Sequence, residues 1–212
     1  MNISFTITVY NEYTEFQKLV QILKNAKLDD DELIVLHTFK NAAEQDTDNF
    51  QAIKNIALNM SNIYENFHFQ NRFADLKNRL NELATKNYIF NFDADELCSI
   101  DTINKWKQIV LNSPQHDLYY IPRINTVSNY TIEDIQKYRW NINANGWINW
   151  PDYQPRIFCN NNSIKWHGNV HEAIVGYKNA VALPTEPKLA IIHHKTIERQ
   201  REQNSLYETI NR

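Results

Sequence analysis

Apolar and polar positions change period several times along the first hundred residues. Ile3 to Val9 (ISFTITV) is a short β-branched run of the kind buried inside a sheet, whereas Glu15 to Ala26 places Phe16, Leu19, Val20 and Leu23 at helical spacing. The alternation repeats: Glu32 to Phe39 predicts a strand, Asp48 to Met60 a helix with Phe50, Ile53 and Ala57 on one side, and Ile63 to Phe69 a strand. Phe73 to Ala84 carries the clearest helical stripe, Phe73, Leu76, Leu80, Leu83 and Ala84, and Tyr88 to Phe92 closes the series as a strand. Strands alternating with helices predict an α/β fold with a mainly parallel central sheet, covered on both faces through right-handed crossovers. Ligands of such sheets gather beyond the carboxyl ends of the strands.

After residue 100 the pattern loosens. A helix is expected from Ile100 to Leu111 and a strand from Asp117 to Arg123, but from Tyr130 to Trp166 Asn, Trp, Tyr and Pro displace regular periodicity and predict short strands and loops attached to the sheet. Lys188 to His194 reads as a strand and Thr196 to Ile210 as a polar helix. No linker, repeat or low-complexity tract divides the chain, so one domain over 1–212 is expected, short enough to have been excised from a longer polypeptide.

Composition removes several function classes. A net charge of -3 gives no electrostatic case for nucleic acid or an anionic membrane. No apolar run approaches the roughly 18 residues that span a bilayer, and no leader is evident, so a cytoplasmic protein is expected. Cys98 and Cys159 stand too far apart for a metal spacing and are read as packing residues. Glycine occurs only at 146, 168 and 176, which excludes the dinucleotide fingerprint and the P-loop, both of which need glycine where backbone meets phosphate.

The chemistry concentrates in NYIFNFDADEL, where an apolar run ends in Asp93, Asp95 and Glu96. Carboxylates this close repel unless something positive joins them. A divalent cation with oxygen ligands, Mg²⁺ or Mn²⁺, does so and completes its shell with substrate phosphate and water. Such a cation would also neutralise a nucleotide diphosphate in a chain without a glycine loop. The competing explanation is that Asp95 or Glu96 caps the helix starting near Ser99.

Three linked segments carry a resemblance: TITVYNE (Thr6 to Glu12), FADLKNRLNELATKNYIFNFDADE (Phe73 to Glu96) and WHGNVHEAI (Trp166 to Ile174). In this order, across most of residues 3 to 196, the chain resembles family-two glycosyltransferases of the GT-A fold. The resemblance implies an inverting, metal-dependent enzyme with a nucleotide-binding half (1–98) and an irregular acceptor-binding half (99–212). It implies a UDP- or GDP-sugar donor, and a glycan or other hydroxyl acceptor. Thr8, Tyr10 and Glu12 would then line the nucleotide pocket, with Lys77 where the family often has Arg; Asp93 would approach the ribose or the metal, and Asp95 would ligate the metal. His193 or His194 would add a metal ligand from the last strand, one only, because successive strand residues face opposite ways. Glu172 would be the catalytic base, with Asp152 in reserve and His171 able to orient it. The acid that the family carries after its second strand is not evident in LHTFKNAAEQD.

Four of the five tryptophans, Trp140, Trp147, Trp150 and Trp166, fall within 27 residues, beside Tyr138 and Tyr153; they suit an acceptor or sugar wall, or a core. Arg156 is a candidate to face the diphosphate or the acceptor. Two other classes remain open on the sequence: a nucleotidyltransferase, which also pairs aspartates with Mg²⁺, and a non-catalytic sugar or nucleotide binding module.

Overall fold

The computed structural model describes residues 1–210. Its first half follows the alternation: β1 (Ile3–Val9), α1 (Tyr13–Ala26), β2 (Glu32–Phe39), α2 (Asp48–Met60), β3 (Ile63–His68), α3 (Phe73–Leu83) and β4 (Tyr88–Asp93). These four strands pair in parallel in the order β3-β2-β1-β4. β1 and β2 are buried along nearly their whole length, as strands covered on both faces must be. α1 buries Phe16, Leu19, Val20 and Leu23, the stripe that the spacing predicts.

The second half is more regular than its sequence. β5 (Glu96–Leu97), α4 (Ile100–Asn112), β6 (Leu118–Ser128), α5 (Ile132–Tyr138), β7 (Ile148–Cys159), β8 (Lys165–His167), β9 (Ala173–Val175), β10 (Ala180–Ala182), β11 (Ile191–Thr196) and α6 (Ile197–Ile210) complete the chain. The main sheet continues β4-β7-β6-β11-β5, with β10 beside β6; β7 runs antiparallel to both its neighbours, and β11 parallel to β6. The expectation of only short strands and loops between Tyr130 and Trp166 is therefore corrected: a 12-residue strand lies there, in the middle of the sheet. Its buried apolar residues are confined to its ends, Ile148 at one and Ile157 and Phe158 at the other, while Asp152, Gln154 and Arg156 line a cavity, so no alternating apolar signal is present.

The helix-cap explanation for the acids fails. Ser99 caps α4, its hydroxyl accepting from Thr102 N at 3.0 Å. Trp166 is a core residue, packed with Phe158, Ile164 and Ile174, and Gly176 is required where it stands: at φ +84 an added Cβ would meet Ser163 O at 1.8 Å.

One buried group ties the first loop to the sheet. His37 of β2 is 0% exposed and stacks on Phe50 with centroids 3.8 Å apart; its Nε2 donates to the Tyr10 carbonyl oxygen at 3.2 Å, and its Nδ1 meets the Tyr64 hydroxyl at 3.0 Å. Burial depresses its pKa to about 4. The unfolded chain then binds the proton more tightly, so stability falls as the pH drops from the ordinary histidine value of about 6.5 towards 4. His37→Gln should flatten this stretch of the Tm-against-pH curve relative to wild type, removing a total fall in stability on the order of 3 kcal/mol across it. Parallel curves for the two proteins would show that His37 does not carry the effect.

Candidate active site

Polar side chains collect where the strands end. Parallel pairing sets Thr8 of β1 beside Asp93 of β4, and His193 of β11 opposite Asn125 of β6. Asp152, Gln154 and Arg156 are alternate residues of β7 and share one face, as Arg123 and Asn125 do on β6. All of these line one cavity of about 670 Å³, which is also lined by Lys77 of α3 and by α6 with Tyr207.

Each residue expected in the nucleotide pocket, Thr8, Tyr10, Glu12, Lys77 and Asp93, lines this cavity. The Thr8 hydroxyl is buried without a partner among the described residues, a costly state unless a ligand supplies a hydrogen bond. Tyr10 donates its hydroxyl to Glu44 Oε1 at 3.1 Å, and the Lys40 ammonium stands 5.0 Å from its ring centroid. Burial, reinforced by the Glu44 carboxylate, pushes the phenol up to about 12, so it remains a donor at any physiological pH. An acid after β2 thus does reach Tyr10, from the turn Ala42–Asp46, where neither pattern nor spacing marks it. Glu12 organises its own loop, accepting from Tyr10 N at 2.8 Å and Asn11 N at 3.2 Å, and its other oxygen accepts from Arg199 at 2.9 Å. Burial raises its pKa.

The positive partners of the DADE turn in this fold are arginines. Arg156, 3% exposed, donates from Nε to Glu96 Oε2 at 2.8 Å and from Nη2 to Glu96 Oε1 and Asp93 Oδ2, both at 2.6 Å. Arg123 adds Nη1 to Glu96 Oε1 at 3.0 Å. Glu96, 0% exposed, is therefore a structural anchor between two guanidiniums, and its backbone pairs with His193 in the two-residue strand β5. Burial opposes ionisation of Asp93, but the charge of Arg156 followed by that of Lys77 outweighs it and holds the carboxyl down at about 2.

Asp95 points the other way. Its Oδ2 lies 3.3 Å from His193 Nε2 and 3.3 Å from Arg199 Nη2. Burial works against its charge, yet the His193 contact and the charges of Lys195 and Arg199 keep it ionised well below the usual range. Burial pushes the pKa of His193 down, against the pull of the Asp95 carboxylate. His194 is exposed on the other face of β11 and bonds the Thr126 hydroxyl at 2.9 Å, which separates it from Asp95. Of the two histidines, the structure brings only His193 to the acids. Among the described residues no three His, Cys, Asp or Glu side chains form a ready metal group. Asp95 and His193 make a facing oxygen and nitrogen pair that suits Mn²⁺ or Mg²⁺ when phosphate and water complete the shell.

Glu172 and Asp152 both line the cavity, in different states. Glu172 is ion-paired with Lys77, whose ammonium stands 4.4 Å from the Trp166 ring centroid, and a single carboxylate oxygen takes that pair. Asp152 has both oxygens engaged: Oδ2 by Arg123 at 2.7 and 3.0 Å and by Asn125 at 2.8 Å, Oδ1 by Gln154 at 2.8 Å. Burial raises its pKa, but the Arg123 charge and these bonds lower it overall. His171 packs against Tyr207, with centroids 5.4 Å apart. Trp140 edges the cavity, while Trp147 and Trp150 pair at 5.1 Å on the adjoining surface.

Sequence reasoning missed Arg123, Asn125 and Arg199. The first two stand two apart on β6, where Arg123 pairs with Asp152 of β7, and they line the same cavity as Asp152, Gln154 and Arg156, so a period-2 polar stripe in neighbouring strands is the signal that could have found them. Arg199 left no signal, because only the turn from β11 into α6 aims it at Asp95.

No protein-family profile matches the chain. Over 190 residues, 89% of this chain, it is 25% identical to the SPbeta prophage-derived glycosyltransferase SunS of Bacillus subtilis (strain 168), and to the same degree to the glycosyltransferase SunS of Bacillus phage SPbeta. The chain spans 38% of the length of each. Among solved structures, S. aureus TarS superposes with a TM-score of 0.58 over 99% of this chain and 39% of that one, at 12% identity. TarS in complex with UDP-GlcNAc gives 0.58 over 92% of this chain and 58% of that one, at 13% identity. TarS in complex with UDP gives 0.59 over 99% and 65%, at 12% identity. These structures share the fold, an α/β architecture with a mostly parallel central sheet, and the chain is similar in sequence to glycosyltransferases.

Proposed function

We propose that this chain is the donor-binding and catalytic part of a metal-dependent, inverting glycosyltransferase of the GT-A type, which moves a sugar from a UDP-sugar to an acceptor hydroxyl. The observation that carries this reading is the pair Asp95 Oδ2 and His193 Nε2, facing at 3.3 Å inside the cavity that also holds the unpartnered Thr8 hydroxyl. The similarity to SunS supports sugar transfer, and the fold shared with UDP-bound TarS supports a uridine nucleotide.

Thr8, Tyr10 and Glu12 form the nucleotide wall, with the Tyr10 ring beside the base. Asp93, held by Arg156, keeps its other oxygen for the ribose or the cation. A divalent cation on Asp95 and His193, Mn²⁺ or Mg²⁺, would neutralise the charge that builds on the departing diphosphate. Glu172 takes the proton from the acceptor hydroxyl as that oxygen attacks the anomeric carbon from the face opposite the leaving group, which inverts the centre. It is preferred to Asp152 because two guanidinium bonds and two amides already occupy both Asp152 oxygens.

A panel of nucleotide sugars, each with Mn²⁺ or Mg²⁺, tests the reading by thermal stabilisation and donor hydrolysis. A UDP-sugar with metal at about 100 times Kd should stabilise the fold by about 2.7 kcal/mol and be hydrolysed slowly. Stabilisation without turnover of any donor would favour a binding module. Release of pyrophosphate from a nucleoside triphosphate would favour a nucleotidyltransferase, and no response to any nucleotide sugar would sink the proposal.

A further inference from the structure

Asn125 lies on β6 between groups that the proposed transfer uses. Its amide makes two hydrogen bonds: Nδ2 donates to Asp152 Oδ2 at 2.8 Å, and Oδ1 meets His193 Nδ1 at 2.8 Å. The first bond decides the second. A carboxylate oxygen only accepts, so the NH₂ end must face Asp152 and the carbonyl end must face the imidazole. An amide oxygen also only accepts, so Nδ1 must carry a proton whatever the charge of the ring. Nε2 is then the nitrogen left to face Asp95 Oδ2, 3.3 Å away, and the one whose lone pair is available to a cation once it carries no proton. A cation entering between the two atoms would take the place of any proton on Nε2, beside Arg199 Nη2, which stands 3.3 Å from the same oxygen.

The arrangement is held from behind. Arg123 grips Asp152 Oδ2 at 2.7 and 3.0 Å and reaches Glu96 Oε1 at 3.0 Å. Glu96 follows Asp95 in the chain. The contacts therefore run from Asp95 through His193, Asn125, Asp152 and Arg123 back to the same turn.

We propose that Asn125 is a positioning residue: backed by Asp152, it locks His193 as the Nδ1–H tautomer and so presents Nε2 to a divalent cation shared with Asp95. The cation in this statement rests on the transferase reading; the tautomer does not. Asp152 then has an orienting role, which explains why a carboxylate inside the cavity has neither oxygen open to a substrate.

Long-range proton–nitrogen correlation spectra of the metal-free protein, labelled with ¹⁵N-histidine, read the tautomer directly, with His193 assigned by its absence in His193→Gln. Titration with Mn²⁺ in the presence of UDP, followed by the paramagnetic resonance of the free ion, reads the affinity. Wild type should show Nδ1–H. Asn125→Leu should move the proton to Nε2, where it can bond Asp95, and weaken Mn²⁺ by about 10- to 100-fold. Asp152→Asn frees the Asn125 amide to turn, and should give both tautomers with a smaller loss. An Nε2–H ring in wild type that still binds Mn²⁺ overturns this inference and leaves the transferase reading standing. An Nδ1–H ring in wild type with unchanged affinity in folded Asn125→Leu overturns the positioning role. An Nδ1–H ring in wild type that binds no Mn²⁺ overturns the cation site and this role with it.

Discussion

Asp95→Ala is expected to lower Mn²⁺-dependent hydrolysis of a UDP-sugar by about 10³-fold or more, because losing a metal ligand removes several kcal/mol of stabilisation of the leaving phosphate. Asp95 is the acid whose Oδ2 faces His193 Nε2, whereas Asp93 and Glu96 are already matched by Arg156. Mn²⁺ affinity should fall with the activity, and Glu172→Gln should behave differently. That variant should keep Mn²⁺ and UDP binding and lose about 10²- to 10⁴-fold in transfer to the acceptor, the usual contribution of a general base. Measured side by side, the two variants separate a cation site from a proton site. Asp95→Ala retaining activity within tenfold of wild type would remove the cation from the mechanism.

The largest stability effect is expected at Arg156. Met in its place keeps most of the volume but leaves Glu96, fully buried, with Arg123 alone, and Asp93 without its nearest cation. Breaking a buried ion pair from one side costs about 3–5 kcal/mol, and because Arg123 remains, the lower end, about 3 kcal/mol, is expected. In a protein of this size that corresponds to roughly 6–12 °C in Tm. Denaturant titration should show a lower midpoint at unchanged slope. A loss under about 1 kcal/mol would mean that the pairs only offset their own desolvation, as buried ion pairs often do. UDP-sugar affinity should fall as well, since Arg156 fixes the carboxylate that the nucleotide meets.

How much of this was legible depends on where each residue sits. β1, β2 and β4 and α1 to α3 were readable because their apolar positions are buried as continuous runs or helical stripes: six of the seven residues of β1 are buried, and α1 sets Phe16, Leu19, Val20 and Leu23 on one side. β7 was not, because most of its side chains line a cavity or half-exposed surface, where polar groups replace apolar ones. The DADE turn announced itself by crowded charge, yet its last member does a different job from the one that charge suggested. Glu96 points inward to two arginines that lie 27 and 60 residues further along the chain.

The sequence by itself determined that strands and helices alternate, that acids gather where a strand ends, and that no glycine loop is available for phosphate. Local periodicity and steric demand write those properties directly into consecutive residues. Only the tertiary structure decided which acid faces a histidine and which an arginine, which of two adjacent histidines enters the cavity, and where Arg123, Asn125 and Arg199 stand. The reason is that β6, β7 and β11 bring together side chains distant in sequence, and the strength and direction of each charge there follow from partners that no local pattern records.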